Sequence, residues 1–306
     1  MNRTSSVELL FRRLLSSQTK EKSEKVMLSI ALISYALHLL LITLVNLHVL
    51  EIDSKFFKSP IAAIYTPFSF ILVYEVYLLI FFLPKSITIY IGKQYEIITL
   101  IVVRRIFKDI SHLELTSNWF QNRYDLQFTY DVVTALILFF LILLIYMNNK
   151  KRKTTRLLTE DAENRLKMST FIRLKQVIAT LLVPILLSLA TFTLLDWTSE
   201  FVRNYQNGVI VFTNINKVFF DDFFTILIIV DVFLLLSSLF YSDEFHKIIR
   251  NSGFVISTIL LKISFSVDGI MNNALIIGAV LFGYLILLIH DYYEKMLYQK
   301  SNDFPS

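Results

Sequence analysis

The chain has no cysteine, so it can form no disulfide, hold no thiolate-bound metal and use no cysteine nucleophile. It is also short of charge. Asp, Glu, Lys and Arg make up 18% of the 306 residues and are clustered rather than spread. The common enzyme signatures are missing: there is no HExxH, no GxSxG, no glycine-rich phosphate loop and no nucleophile beside an obvious base. A non-enzymatic protein that needs no cofactor is therefore expected. His38, His48, His246 and His290 show no metal-ligand spacing with acids, so no metal site is expected either. No nucleic-acid-binding motif accompanies the net charge of +5. The basic residues are read as topology signals, and no nucleic-acid partner is expected.

What the chain has instead is apolar length. It is 55% hydrophobic with a mean hydropathy of +0.59, and several apolar runs are long enough to cross a bilayer. The expected fold class is all-α: a polytopic integral membrane protein with about eight transmembrane helices in two tandem four-helix modules of the same orientation. The expected division is an amphipathic cytoplasmic segment at 1–25, a first module at 26–147, a basic cytoplasmic linker at 148–175, a second module at 176–290 and a tail at 291–306. The spans are placed near 26–50, 61–83, 95–113, 129–147, 176–195, 223–241, 253–267 and 274–290. Pro60 suits the first turn of the second span. Pro184 lies inside the fifth, where it would free a backbone carbonyl and kink the helix.

Residues 1–25 are mostly polar, and no small-residue cleavage site follows a short apolar core, so a cleaved signal peptide is not expected. Val7, Leu10, Phe11, Leu14 and Leu15 fall on one helical face, with Arg12 and Arg13 off it; Ser5 and Glu8 have capping-box spacing. Two readings are open: a helix lying on the cytoplasmic membrane surface, or one packed on the protein's own cytosolic side.

Ionisable residues inside apolar spans are costly and point to function. Glu75 stands near the middle of the second span and Asp231 in the sixth. Arg104 and Arg105 stand in the third and Lys262 in the seventh, each at a depth that would match the acid of the preceding helix. These acids and bases are read as ion pairs, serving either as a hydrophilic path or sensor or as clamps on helix register. His38, within the first span, is read as a proton relay or an interhelical hydrogen-bonder. The third segment is the weakest span, because its apolar core is short and a polar elbow, Pro84 to Glu96, precedes it. The fourth reads as strongly apolar.

The stretch from Phe68 to Ser111 is echoed from Phe224 to Ser266. FILVYEVYLLI lies over ILIIVDVFLLL with Glu75 over Asp231, and after a one-residue shift Arg105 lies over Lys262. The closing spans, ALILFFLILLIY and AVLFGYLILLIH, also match. Such internal repeats are common in transport proteins. The N-terminal segment carries Arg3, Arg12, Arg13, Lys20, Lys22 and Lys25, and the linker carries nine basic residues against three acidic ones. Both should be cytoplasmic, which requires an even number of spans between them; four fits and three does not.

The stretch from Tyr74 to Arg105 resembles the second and third helices of voltage-sensor-type four-helix modules. Glu75 takes the place of the second-helix acid, followed by Lys85, Tyr90, Lys93 and Tyr95 in the elbow. The resemblance implies a four-helix plan and an ion-related role. It does not extend to the fourth spans, which carry no arginine ladder, nor to any TVGYG-like filter. Two functions are expected in competition. One is ion transport, permeation or sensing in a plasma membrane, with both termini cytoplasmic and the buried acids and bases as the polar interior. The other is a non-transporting scaffold or signalling subunit. It would bind a protein partner, a second copy or anionic headgroups through Arg12, Arg13, Lys150, Lys151, Arg152 and Lys153.

Overall fold

The computed structural model describes residues 6–49, 60–110, 122–155, 162–206, 215–240 and 245–303. Among them the secondary structure is helical throughout. The order is α1 (Ser6–Leu14), α2 (Ser17–Asn46), a 3-10 turn (Pro60–Ile64), α3 (Tyr65–Phe82), α4 (Ile87–Ile110) and α5 (Arg123–Thr155). It continues with α6 (Ala162–Gln206), α7 (Ile215–Leu239), α8 (Phe245–Ser264) and α9 (Ile270–Asp303).

Five stretches are long and apolar enough to cross a membrane: Glu8–Asn46, Tyr124–Asn149, Ser169–Thr193, Asp222–Leu239 and Ile270–Met296. Thr66–Phe82 is a shorter apolar helix. Large aliphatic and aromatic side chains stand outside along them, among them Leu32, Ile33, Phe140, Leu187 and Ile289. A water-soluble surface does not carry so much contiguous apolar area; lipid accepts it at no cost.

Local chemistry sets several boundaries. Ser16 caps α2, its hydroxyl accepting from the Thr19 N–H at 3.0 Å, so the helix begins well before the apolar run that marked it in the sequence. Pro60 opens the 3-10 turn rather than α3 itself. Helix α6 runs through Pro184 without interruption. The basic linker is largely helical, its first part closing α5 and its last part opening α6.

The elbow expected from Pro84 to Glu96 shrinks to a few residues, because α4 already begins at Ile87. Likewise α8 begins at Phe245 and takes in His246 and Arg250, which the expected spans left in the connection between 241 and 253. Both corrections have one cause. The polar residues of these helices turn inward, so the helices need not be apolar to be buried. Tyr90, Gln94, Tyr95 and Thr99 of α4 and His246, Arg250, Ser257 and Thr258 of α8 are all buried.

Paired residues give the helix directions. Tyr74 on Glu24 and His38 on Thr66 make α2 and α3 antiparallel. Phe68 stacks on Phe107 at 5.1 Å between α3 and α4, and Phe224 lies against Phe265 at 5.1 Å between α7 and α8. Helices α5 and α9 are parallel: Asp131 meets Asn273 near their starts, and Asn148 meets Asp291 towards the other end. Neighbouring helices close a circuit, α3–α4–α5–α9–α8–α7–α6 and back to α3, with α2 on α3 and α1 on α6.

Helix α1 packs through Phe11 and Leu14, and the buried Leu15 follows it; the Tyr77 hydroxyl donates to the Leu14 carbonyl at 2.9 Å. Of the two readings of this segment, packing on the protein's own body therefore holds for one face. Leu9, Leu10, Arg12 and Arg13 remain exposed on the other.

Candidate functional site

Two polar clusters cross the interior, and α4 supplies side chains to both. The first gathers around Asp131 of α5, whose side chain is 0% exposed. Arg105 of α4 lies against it, with Nε 3.0 Å from Oδ2 and Nη2 donating to Oδ1 at 3.0 Å. Asn273 and Gln127 also donate to Oδ1, at 2.7 and 2.9 Å. The guanidinium also donates to the side-chain oxygens of Asn272 and Asn273, the latter at 2.6 Å, and the Asn272 amide donates to the Ser264 carbonyl. This is a buried ion pair supported by neighbouring amide side chains, the condition under which burial of charge is tolerated. It ties α4 and α5 to α9.

The second cluster gathers around Asp231 of α7, which is 6% exposed. The Tyr90 hydroxyl donates to Oδ1 at 3.0 Å and the Gln94 amide to Oδ2 at 3.2 Å, both from α4. The Gln94 oxygen accepts from Thr258 of α8 at 2.9 Å. One residue along each helix, Tyr95 and Ser257 share a 2.7 Å hydrogen bond. The Ser257 hydroxyl donates to the Ala279 carbonyl of α9 at 2.7 Å, so Tyr95 is the donor to Ser257. Gly283 makes this contact possible, because a Cβ there would overlap the Tyr95 hydroxyl. Gly253 similarly admits Ile286, whose side chain would lie 2.7 Å from a Cβ at that position.

Lys175 of α6 is buried beside the second cluster, within electrostatic reach of Asp231 and Arg250. Its ammonium donates to the Lys85 carbonyl at 3.1 Å. Arg250 in turn meets the His290 Nε2 at 2.9 Å, and the His246 and His290 rings lie 5.1 Å apart. A line of buried titratable groups thus runs from Asp231 towards the end of the bundle where α8 begins and α9 leaves.

The residues singled out from the sequence fall as follows. Glu75 is buried on α3 within electrostatic reach of Arg104. Arg105 pairs with Asp131. Asp231 was expected at the depth of Lys262. Phe224 facing Phe265 and Ser238 facing Asn251 fix a register that puts Asp231 level with Thr258, about one turn short of Lys262. Lys262 stands in the last turn of α8, where a cation suits the helix dipole. His38 bonds Thr66 through Nδ1 at 2.5 Å, joining α2 to α3. Arg12 and Arg13 are exposed on α1. The side chains of Lys150, Lys151, Arg152 and Lys153 lie outside the described residues.

Asp131, Tyr90, Gln94, Lys175 and Thr258 were not anticipated. Asp131 had a usable signal, a carboxylate inside the fourth apolar span. Tyr90 and Gln94 had none, since they sit in a stretch whose polarity read as an elbow.

Long apolar helices, a lipid-type exterior and ion pairs held inside define a multi-pass α-helical membrane protein. No protein-family model, no curated protein and no solved structure matches the chain.

Proposed function

We propose that this protein moves or senses an ion across a plasma membrane, using a polar interior built on Asp231, Glu75 and Arg104. In this reading α2 to α9 are eight spans, arranged as two tandem four-helix modules of the same orientation with both termini in the cytoplasm. The parallel run of α5 and α9 supports that arrangement. So do the matching aromatic clasps, Phe68 with Phe107 and Phe224 with Phe265. The four-helix plan shared with voltage-sensor-type modules belongs to this proposal; voltage sensing does not, since the fourth helices lack an arginine ladder.

The observation that carries the reading is Asp231. A carboxylate inside a membrane bundle is expensive, and this one is held by neutral donors, with its nearest buried amine engaged on a backbone carbonyl. A clamp would pair the charges directly, as Arg105 and Asp131 do. The test is ion flux in liposomes reconstituted with the purified chain. Glu75→Gln combined with Asp231→Asn should abolish flux while the protein stays folded and inserted; unchanged flux would sink the proposal.

One observation favours the scaffold reading. Helix α1 is anchored by one face and presents Leu9, Leu10, Arg12 and Arg13 on the other, which suits anionic headgroups or a partner protein. A stoichiometric partner that co-purifies, and is lost when Lys150 to Lys153 are neutralised, would support this second role.

A further inference from the structure

Asp131 of α5 and Asp231 of α7 are both buried but have opposite surroundings, and the difference bears on which ion the interior can carry. Asp131 is paired directly with a fixed cation. Three donors bond Oδ1, the Arg105 Nε lies 3.0 Å from Oδ2, and arginine does not give up its proton. Asp231 accepts one hydrogen bond on each oxygen, from Tyr90 and Gln94, and retains lone pairs on both.

We propose, resting on the transport reading above, that the ion is a proton, carried on the Asp231 carboxylate with the Lys175 ammonium as its exchange partner. The donor set argues against a metal cation. Hard cations are bound by several converging oxygens, whereas Tyr90 and Gln94 turn hydrogens towards Asp231 and the Gln94 oxygen is already engaged by Thr258. A proton needs only one lone pair. An anion is repelled at the oxygens of the ionised carboxylate.

The groups facing Asp231 are set for exchange. Helix α4 presents Tyr90 and Gln94, α6 presents Lys175, and α8 presents Thr258 through Gln94. Arg250 of α8, bonded to His290 of α9, stands behind Lys175. Among the described residues Lys175 and Asp231 share no direct ion-pair contact; the lysine is parked on the Lys85 carbonyl. In the proposed cycle this arrangement belongs to the proton-loaded state: a hydronium ion gives its proton to the carboxylate, leaving water and a neutral acid, and the ammonium has no charge to approach. On release the carboxyl returns the proton to water on the other side. The bared carboxylate then draws the ammonium in, which neutralises it until the next proton arrives. Lysine suits this role because its point charge sits on a long flexible stem. Lys175 keeps its own proton throughout, so the cycle moves one proton and consumes nothing else.

The test uses the full chain in liposomes holding a pH-sensitive dye, with the membrane voltage clamped and a pH gradient imposed. Wild type should pass protons. Asp231→Asn should fall to the rate of protein-free liposomes. Lys175→Gln should be strongly slowed and Lys175→Arg partly restored, with thermal unfolding showing that each variant is folded. Wild-type proton flux in a folded Asp231→Asn sample would overturn the proposal. If wild type carries sodium or potassium with no proton movement, the proton assignment fails and the transport reading stands. If no ion of any kind moves, both fail.

Discussion

Arg105 and Asp131 show how a single buried residue reorganises its surroundings. Neither could stay charged in the interior alone; Asp131 is held by Arg105, Asn273 and Gln127, and Arg105 by Asp131, Asn272 and Asn273. Removing one partner strands the other. Asp131→Asn or Arg105→Gln should each lower stability by about 3–5 kcal/mol, read as a drop in unfolding temperature in detergent. Replacing both with apolar residues of similar volume should cost less than either single change. Gly283 offers a second test at this scale. Gly283→Ala would drive a methyl group into the Tyr95 hydroxyl and break its bond to Ser257, at a cost of about 1–3 kcal/mol. Gly278→Ala, where a Cβ meets nothing within 4 Å, is the matched control and should leave the unfolding temperature unchanged or slightly raised. The sequence made Glu75, Asp231 and Arg105 legible because a charge in an apolar run stands out. It hid which partner each would take, because partner choice depends on register and on rotation about the helix axis. A turn of difference separates Lys262 from the depth of Asp231.

At the scale of the element, α4 and α8 carry the instructive contrast. Neither is among the helices apolar enough to cross a bilayer by composition, yet both are built into the interior of the bundle. The outer helices α2, α5 and α9 show the reverse, an apolar composition with much of it exposed. Reading hydropathy along the chain finds lipid-facing helices well and discounts those whose polar residues are satisfied by neighbours. That is why the elbows were drawn too long and the third and seventh segments too short. The hydrogen bonds between α4 and α8 are individually modest. Ser257→Ala, which removes the acceptor for Tyr95 and the donor to Ala279, should cost on the order of 0.6–1.7 kcal/mol. Thermal unfolding against wild type checks this, and the loss should be no larger when Tyr95→Phe is added, since the two changes remove one shared contact.

The whole molecule is a closed circuit of helices in which α5 and α9 lie parallel and α4 reaches across to α7 and α8. The cysteine-free sequence makes its proposed orientation easy to probe, since any introduced cysteine is unique. Single cysteines at Lys85 and Lys247 should react with an impermeant thiol reagent from the same side of the membrane. Those at Asp53 and Asp268 should react only from the other side. Labelling of all four from one side would contradict eight spans of alternating direction. An all-α, membrane-embedded chain was readable from its apolar runs, because apolar length has few structural outcomes in a bilayer. Function was not, because the proposed role turns on which buried charge is locked and which can change partner. The most direct test of that distinction is to measure ion flux and unfolding temperature on the same sample of Asp231→Asn. Flux lost with the unfolding temperature close to wild type is the predicted result. Full flux, or a loss of stability as large as that of Asp131→Asn, would contradict it.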